Sequence, residues 1–325
     1  MNDLIVLRVA LFGALSVGLA VRPSEAPRPV LLTGRPGGLL ALLALAGGRF
    51  FSRTELAREL TSGSTYADGD GASAGSFNTL LWRLRKSLEA APLKRGDVIE
   101  TDALGAIRIA SRVQIDTDVQ EYRRLVEGPV AKPVEALHSH DIEQLKQAVS
   151  MYRGEVLASF QDDWALRLRE RHRRLQQAAL ARLMHVSSLA QQWPDAIRYG
   201  LAMLELDELR EDVHRELMRC YLQAGQRALA LRQFERCRAA LKRELAIQPM
   251  RETLALYHQI ADAATHTHSE PEQVLQETPM PQVVPDSYPV QCDARVGNCI
   301  AQARWHLAQA DAQLQMQLQL PLNFY

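Results

Sequence analysis

Ser73–Ala90, SAGSFNTLLWRLRKSLEA, decides the fold of the N-terminal third of this chain. Phe77, Leu81, Leu84 and Leu88 recur at steps of four, three and four, the spacing of an apolar stripe on a helix that lies against a core. Gly75, Thr79, Trp82 and Lys86 point the other way, with Asn78, Arg83 and Arg85 on the flanks. A face of two arginines, a lysine, an amide and a hydroxyl suits phosphates and base edges together. It suits equally the bland alternative, a solvated basic face.

The neighbouring segments bear on that choice. Gly37–Gly47 is rich in Leu and Ala, with Leu39, Leu42, Leu43 and Ala46 spaced as a short buried helix. Ser52 stands where an N-cap would, with Glu55 three residues on, so SRTELARELT opens as a capping box. Two short helices before a longer basic one are the pattern of a helix-turn-helix. Val98–Thr101 and Ala106–Ala110 read as strands around the turn Asp102–Gly105, a hairpin of the size of a wing. Leu7–Leu11, Leu15–Leu19 and Val30–Thr33 read as short strands, broken by Gly13 and by the loop from Pro23 to Pro29. The expected first domain is a winged helix with a small N-terminal sheet.

In these residues the chain resembles the OmpR-like winged-helix domain in the form carried by SARP-type transcriptional activators. The resemblance rests on Leu39–Leu45, Ser52–Leu60, the run Arg83-Leu84-Arg85-Lys86-Ser87-Leu88, the Thr101/Gly105 pair and the junction IDTDVQEYRRLV from Ile115 to Val126. It implies a third helix in the major groove and a wing at an adjacent minor groove, with Arg83 approaching bases and Arg85 holding phosphate. There are departures. Leu60 is followed by Thr61-Ser62-Gly63 where the family has a Trp-Gly pair, and the loop from Thr61 to Gly75, in a region that touches RNA polymerase in that family, is long and rich in Gly, Ser and Asp. Trp82 stands where a small or basic residue is usual, and Ala106 replaces the usual wing aromatic.

Over 325 residues the formal charge is balanced, with 38 basic and 38 acidic side chains, so no global polyelectrolyte signal exists. The balance hides segregation: residues 1–115 hold 14 Lys/Arg against 10 Asp/Glu, whereas from Ala261 onward there are two Arg against seven Asp/Glu. A modest positive excess on a small domain is compatible with DNA binding. Cys220, Cys237, Cys292 and Cys299 form no CxxC pair and have no His at zinc spacing, so no metal is expected. Cys220 and Cys237 fall on helices as buried thiols, and Cys292 and Cys299 are a candidate pair; this cysteine usage points to the cytoplasm. The apolar stretch Leu4–Val21 invites a signal-peptide reading, but Asp3 removes the positive start, Arg8 interrupts the run, and the alternation suits strands. No run approaches the ~18 uninterrupted apolar residues of a membrane span.

From Ser139 to Ile260 the pattern is almost continuously helical. The expected elements are Asp141–Arg153, a long Asp163–Gln192, Pro194–Leu206, Glu211–Ala224, Arg227–Ala246 and Met250–Ala261, with Gly225 and Pro249 as breaks and Pro194 at a first helical position. Ala196 and Ala230 are 34 residues apart, the period of tetratricopeptide units. Leu217, Tyr221, Ala230 and Phe234 occupy that motif's positions in the better copy; Met184, Ala196 and Gly200 make a degenerate first one. Ala148–Phe160, Arg210–Leu241 and Glu244–Pro249 resemble the bacterial transcriptional activator domain, which in SARP-type proteins follows the winged helix. Arg167–Arg174 (RLRERHRR) is the densest basic run, either a surface for DNA or an acidic partner or the solvated face of the long helix whose other face holds Trp164, Leu168, Leu175 and Leu183. Thr265–Pro289 reads as a disordered linker, and Ala294–Leu320 is Gln/Ala/Leu-rich, suiting a helix around Trp305 or, at LQMQLQLPL, a strand.

The expected architecture is mainly α: a winged helix-turn-helix with a small β-sheet and wing over residues 1–115, an all-α tetratricopeptide-like repeat domain over 116–262, and a linker with a Gln-rich tail over 263–325. There is no GK[ST] loop, no GxGxxG after a strand, no HExxH and no GxSxG, and the scattered histidines form no nucleophile or carboxylate constellation, so neither an enzyme nor a cofactor is expected. The expected function is a sequence-specific transcriptional regulator, an activator recruiting RNA polymerase. Asn78, Thr79, Trp82, Arg83, Arg85, Lys86 and Arg108 are its candidate contacts to promoter DNA, and the repeat domain its route to a homodimer. The alternative is a tetratricopeptide-type scaffold whose winged helix no longer binds DNA.

Overall fold

The computed structural model describes residues 4–60 and 74–262. The chain opens with β1 (Ile5–Ala10), β2 (Ser16–Ala20) and the short β3 (Arg28–Pro29), followed by three helices, α1 (Gly34–Leu45), α2 (Arg53–Glu59) and α3 (Ala74–Leu88). A hairpin of β4 (Ile99–Thr101) and β5 (Ile107–Ile109) follows, and then β6 (Val113–Thr117). The rest is helical: α4 (Asp118–Ala131), a single 3₁₀ turn, α5 (Ser139–Met151), α6 (Asp163–Leu189), α7 (Trp193–Leu206), α8 (Glu211–Gln223), α9 (Arg227–Leu245) and α10 (Arg251–Asp262). The expectations for the 61–75 loop, for the Cys292/Cys299 pair and for the linker and tail lie outside the described residues, apart from the start of α3.

The elements of the first domain follow the expected order, with three differences. The third strand is Arg28–Pro29 and not Val30–Thr33; Val30 still donates to Val17 O (2.9 Å), but the chain then turns into α1. That helix begins at Gly34, three residues early, because Pro36 sits in its first turn, where a missing N–H breaks no helical bond. The strand β6 was not expected at all. It pairs in parallel with β1, from Ile5 opposite Val113 to Val9 opposite Thr117, and completes a sheet of order β3-β2-β1-β6. The expected boundary at 115/116 therefore falls inside a sheet strand.

The same strand delivers the chain to a tight junction. Thr117 caps α4 through Gln120 N (3.1 Å), and the neighbouring Asp118 carboxylate accepts hydrogen bonds from Leu11 N (2.8 Å) and Phe12 N (3.0 Å) at the end of β1. A charged acceptor satisfies two backbone donors that the sheet leaves over. Beyond it, Leu157 N donates to Leu11 O (2.8 Å) and Gly13 N to Glu155 O (2.9 Å), so the segment before α6 is laced to the β1–β2 turn. Phe12 sits 5.1 Å from the ring centres of both Tyr122 and Tyr152 and 6.1 Å from His172. Phe160 lies over α1, where a Cβ on Gly38 would come within 3.2 Å of its ring. One apolar core runs from the sheet through this junction into the helices.

The basic run Arg167–Arg174 is occupied by that junction. Arg169 donates to Val156 O, Leu157 O and Phe160 O at 3.2, 2.8 and 2.8 Å, latching the loop ahead of its own helix. Arg167 pairs with Glu59 of α2, Arg171 with Glu127, Arg173 with Glu155 and Arg174 with Glu170. Of the two readings of this stretch, a binding surface and a solvated face, the second is nearer, with Arg169 and Arg173 structural.

The helices α6 to α10 stack as antiparallel neighbours. A Cβ on Gly200 would meet Leu217 at 2.7 Å and Met184 at 2.9 Å, which is why the degenerate copy carries glycine there. Leu217, Tyr221, Ala230 and Phe234 are buried, and Phe234 stacks on Tyr257 of α10 with ring centres 4.1 Å apart. Among the described residues no helix is long and apolar enough to cross a membrane.

His172 is fully buried in the junction and bonds Leu168 O through Nδ1 (2.7 Å). Burial, aided by the nearby Arg171 and Arg123, pushes its pKa down from 6.5 to about 4. The fold therefore keeps the imidazole neutral. Stability is complete above about pH 6.5, falls as the pH drops towards 4 because only the unfolded chain takes the proton, and levels off below. At about 1.4 kcal/mol per unit, the linked loss is roughly 3 kcal/mol. Buried His214 is also shifted down, so the quantity to measure is a difference. Urea unfolding from pH 7 to 4 is expected to show a shallower pH dependence in His172→Phe than in the wild type.

Candidate nucleic-acid interface

The apolar stripe of α3 is buried as its spacing requires: Phe77 and Leu81 are nearly inaccessible, and Leu84 and Leu88 fully so. With the stripe on the core, the residues between must face out. Asn78, Thr79, Trp82, Arg83 and Lys86 are all exposed, and Arg85 is half-buried. Lys86 Nζ lies 5.0 Å from the centre of the Trp82 ring, and Trp82 remains 58% exposed. Among the described residues none pairs with the guanidinium of Arg83.

Two of the candidate cations have internal partners. Arg85 Nη2 donates to Ile99 O (3.2 Å) and to Thr101 Oγ1 (2.7 Å), which ties α3 to the first strand of the hairpin. Arg108 pairs with Glu100 across the hairpin and lies over the ring of Phe50, 4.3 Å from its centre. These two side chains hold the hairpin, whereas Arg83 and Lys86 carry the outward charge.

The hairpin is tied to the end of α3 at its base and ordered by its own turn at the tip. At its base, Glu89 Oε1 accepts from Gly96 N, Val98 N and Ile99 N at 2.9 to 3.2 Å, and Arg28 Nη2 donates to Leu88 O. Arg112 reaches back to Asp97 and Gly96 O, closing the loop between helix and strand. A third short stretch joins the hairpin: Phe51 and Ile107 exchange backbone bonds of 2.9 and 2.8 Å. At the tip, Asp102 Oδ1 accepts from Leu104 N and Ala106 N, and Gly105 holds φ of +84°, the conformation that lets the turn close. Leu104, at the apex, is 94% exposed. On α2, Ser52 Oγ accepts from Glu55 N as expected of the N-cap, but the Glu55 carboxylate pairs with Arg49.

Two residues absent from the sequence reading complete the site. Arg53, at the start of α2, donates through Nη1 to Asn78 Oδ1 (2.8 Å) and through Nε to Gly105 O (3.2 Å). Arg53, Arg95, Asn78, Trp82, Arg85 and Lys86 line one shallow cleft along α3, together with Leu81 and the carboxylate of Glu89. Burial lowers the pKa of Arg85, and the positive charges of Arg95 and Arg53 lower it further against the opposing pull of Glu89. No spacing rule reaches either arginine; the only signal was positive charge at the start of α2 and in the loop that follows α3. Among the described residues no three His, Cys, Asp or Glu side chains gather where a metal ion would be held.

Comparison with known proteins bears on both halves. Residues 117–261 match the family described as the bacterial transcriptional activator domain. No curated protein sequence matches the chain. Among solved structures, Mycobacterium tuberculosis EmbR in complex with a low affinity phosphopeptide aligns over 79% of this chain at 18% identity with a TM-score of 0.57, which is a likeness of fold. This chain spans 65% of the EmbR chain. The C-terminal tetratricopeptide-containing domain of a putative FK506-binding protein from Plasmodium falciparum aligns over 47% of this chain and 94% of its own, at 13% identity and a TM-score of 0.35, too low to bear weight. The fold defines a winged helix joined to a helical repeat body. The helical repeat body is the part of the chain that matches the bacterial transcriptional activator domain.

Arg85 gives the first test of this geometry. Arg85→Ala removes the donor from two acceptors and is expected to destabilise the protein by about 1–2 kcal/mol, at roughly 1 kcal/mol per hydrogen bond. Chemical denaturation measures it; an unchanged midpoint would mean that the hairpin is held without this contact.

Proposed function

We propose that the protein is a sequence-specific DNA-binding transcriptional regulator of the cytoplasm, an activator that recruits RNA polymerase. The observation that carries the proposal is the outward face of α3. Arg83 and Lys86 stand there without an acidic partner among the described residues, between exposed Asn78, Thr79 and Trp82 and a hairpin locked alongside. An α-helix of this length fits the major groove, and a hairpin tip beside it meets the next stretch of backbone or minor groove. Arg83 is assigned to a base edge, with Asn78 and Thr79 tuning the choice. Lys86, Arg53 and Arg95 neutralise phosphates, and Arg85 and Arg108 serve the site by fixing the hairpin. Activation rests on the second half of the chain, whose family is that of bacterial transcriptional activator domains. That half is also assigned the contact with a second copy or with a partner protein.

The salt and sequence dependence of binding separates base readers from phosphate holders. On a duplex selected by the wild-type protein, Arg83→Ala is expected to weaken binding by about 1–3 kcal/mol and to relax preference at one base pair. Lys86→Ala is expected to weaken all duplexes alike and to lower the slope of log affinity against log salt by about one. Fluorescence anisotropy measures both. Affinity for every duplex independent of salt would favour the scaffold alternative, in which the winged helix has no DNA role.

A further inference from the structure

We infer that Arg53 sets the base preference of Asn78, making it a reader of guanine-like edges in place of adenine; this rests on the DNA-binding role proposed above. A free asparagine carboxamide offers one acceptor and two donors, and pairs bidentately with adenine, giving Nδ2–H to N7 and taking N6–H on Oδ1. Here Oδ1 already accepts from Arg53 Nη1 at 2.8 Å. Arg53 is itself held by a second bond, Nε to Gly105 O at 3.2 Å, so its guanidinium is aimed from two points and not merely resting on the amide. Gly105 O in turn is presented by a turn whose amides Asp102 fixes.

The consequence is chemical. Arg53 takes one of the two lone pairs of Oδ1, and its cationic N–H groups disfavour a second donor there, whether adenine N6–H₂ or cytosine N4–H₂. The Nδ2 hydrogens are left to face outward from an exposed side chain on the outer surface of α3. They match an edge made of acceptors, which is O6 and N7 of guanine, or O4 of thymine. On the protein's surface such a bond is weak, but exclusion of water on docking into a groove strengthens it. Arg53 is thus a positioning residue, acting through Asn78 and linking three elements: the start of α2, the face of α3 and the turn of the hairpin.

The test uses the full-length protein and a duplex taken from a random library by wild-type selection, then permuted through all four base pairs at each position. The wild type is expected to prefer guanine over adenine about tenfold at one position, and Asn78→Ala to abolish that preference. Arg53→Ala is expected to bring the ratio at that same position below about threefold while the other positions keep theirs, and to change nothing there when Asn78 is already alanine. Arg53→Lys keeps the charge but not the two-point geometry, so it is expected to recover overall affinity without recovering the preference. Were Arg53→Ala to weaken every duplex equally with all preferences intact, Arg53 would be a phosphate contact only and the inference would fail. A wild type with no base preference at any position would instead overturn the DNA-reading proposal itself.

Discussion

Asp118 is the contact on which the arrangement of this protein depends. Its carboxylate binds Leu11 N and Phe12 N, residues more than a hundred positions earlier, and it does so because β6 lies parallel to β1 and hands the chain into α4 at that point. An aspartate in the first turn of a helix also meets the positive end of the helix dipole, so one carboxylate satisfies the sheet and the helix together. Phe12, placed by those bonds, enters the ring cluster of Tyr122, Tyr152 and His172. The winged helix is therefore not tethered to the helical domain by a linker. Its sheet leads through β6 directly into α4 and is joined to the helical domain by the Asp118 carboxylate and an apolar core.

That continuity has a functional meaning within the proposal. A winged helix on a flexible linker presents its recognition face independently of whatever its partner domain binds. Here the segment before α6 is bonded to the β1–β2 turn, Phe160 covers α1, and Arg167 reaches Glu59 at the end of α2. Packed side chains and paired charges thus join the helical domain to α1 and α2, and α3 rests on the same core. The buried His172 lies among these contacts, and its burial is what keeps the imidazole neutral.

Much of this was legible in the chain itself. The four-three-four spacing of Phe77, Leu81, Leu84 and Leu88 placed α3 and its faces, since a helix has a single way of burying such a stripe. Gly225, Pro194 and Pro249 placed the breaks of the helical array to within three residues. Other features depended on partners far away in sequence. Val113–Thr117 has the alternation of a strand, but its parallel pairing with β1 needs the intervening domain already folded. Arg169 belongs to a run that any charge count assigns to the surface, yet its guanidinium closes three carbonyls. Arg53, Arg85 and Arg108 differ in role although they are the same residue type: one holds an amide and a turn, one a strand, one an acidic and an aromatic neighbour. Charge alone carries no geometry, and so the division between outward cations and internal ones had to come from the structure.

The central claim is that the outer face of α3, with the hairpin beside it, is the surface that meets DNA. Amide hydrogen exchange of the full-length protein, with and without a saturating duplex that it selects, tests this most directly. The account predicts slowed exchange concentrated in residues 76–88 and 99–109, with α8 and α9 unchanged. Protection confined to the helical domain, or none anywhere with the duplex bound, would contradict it.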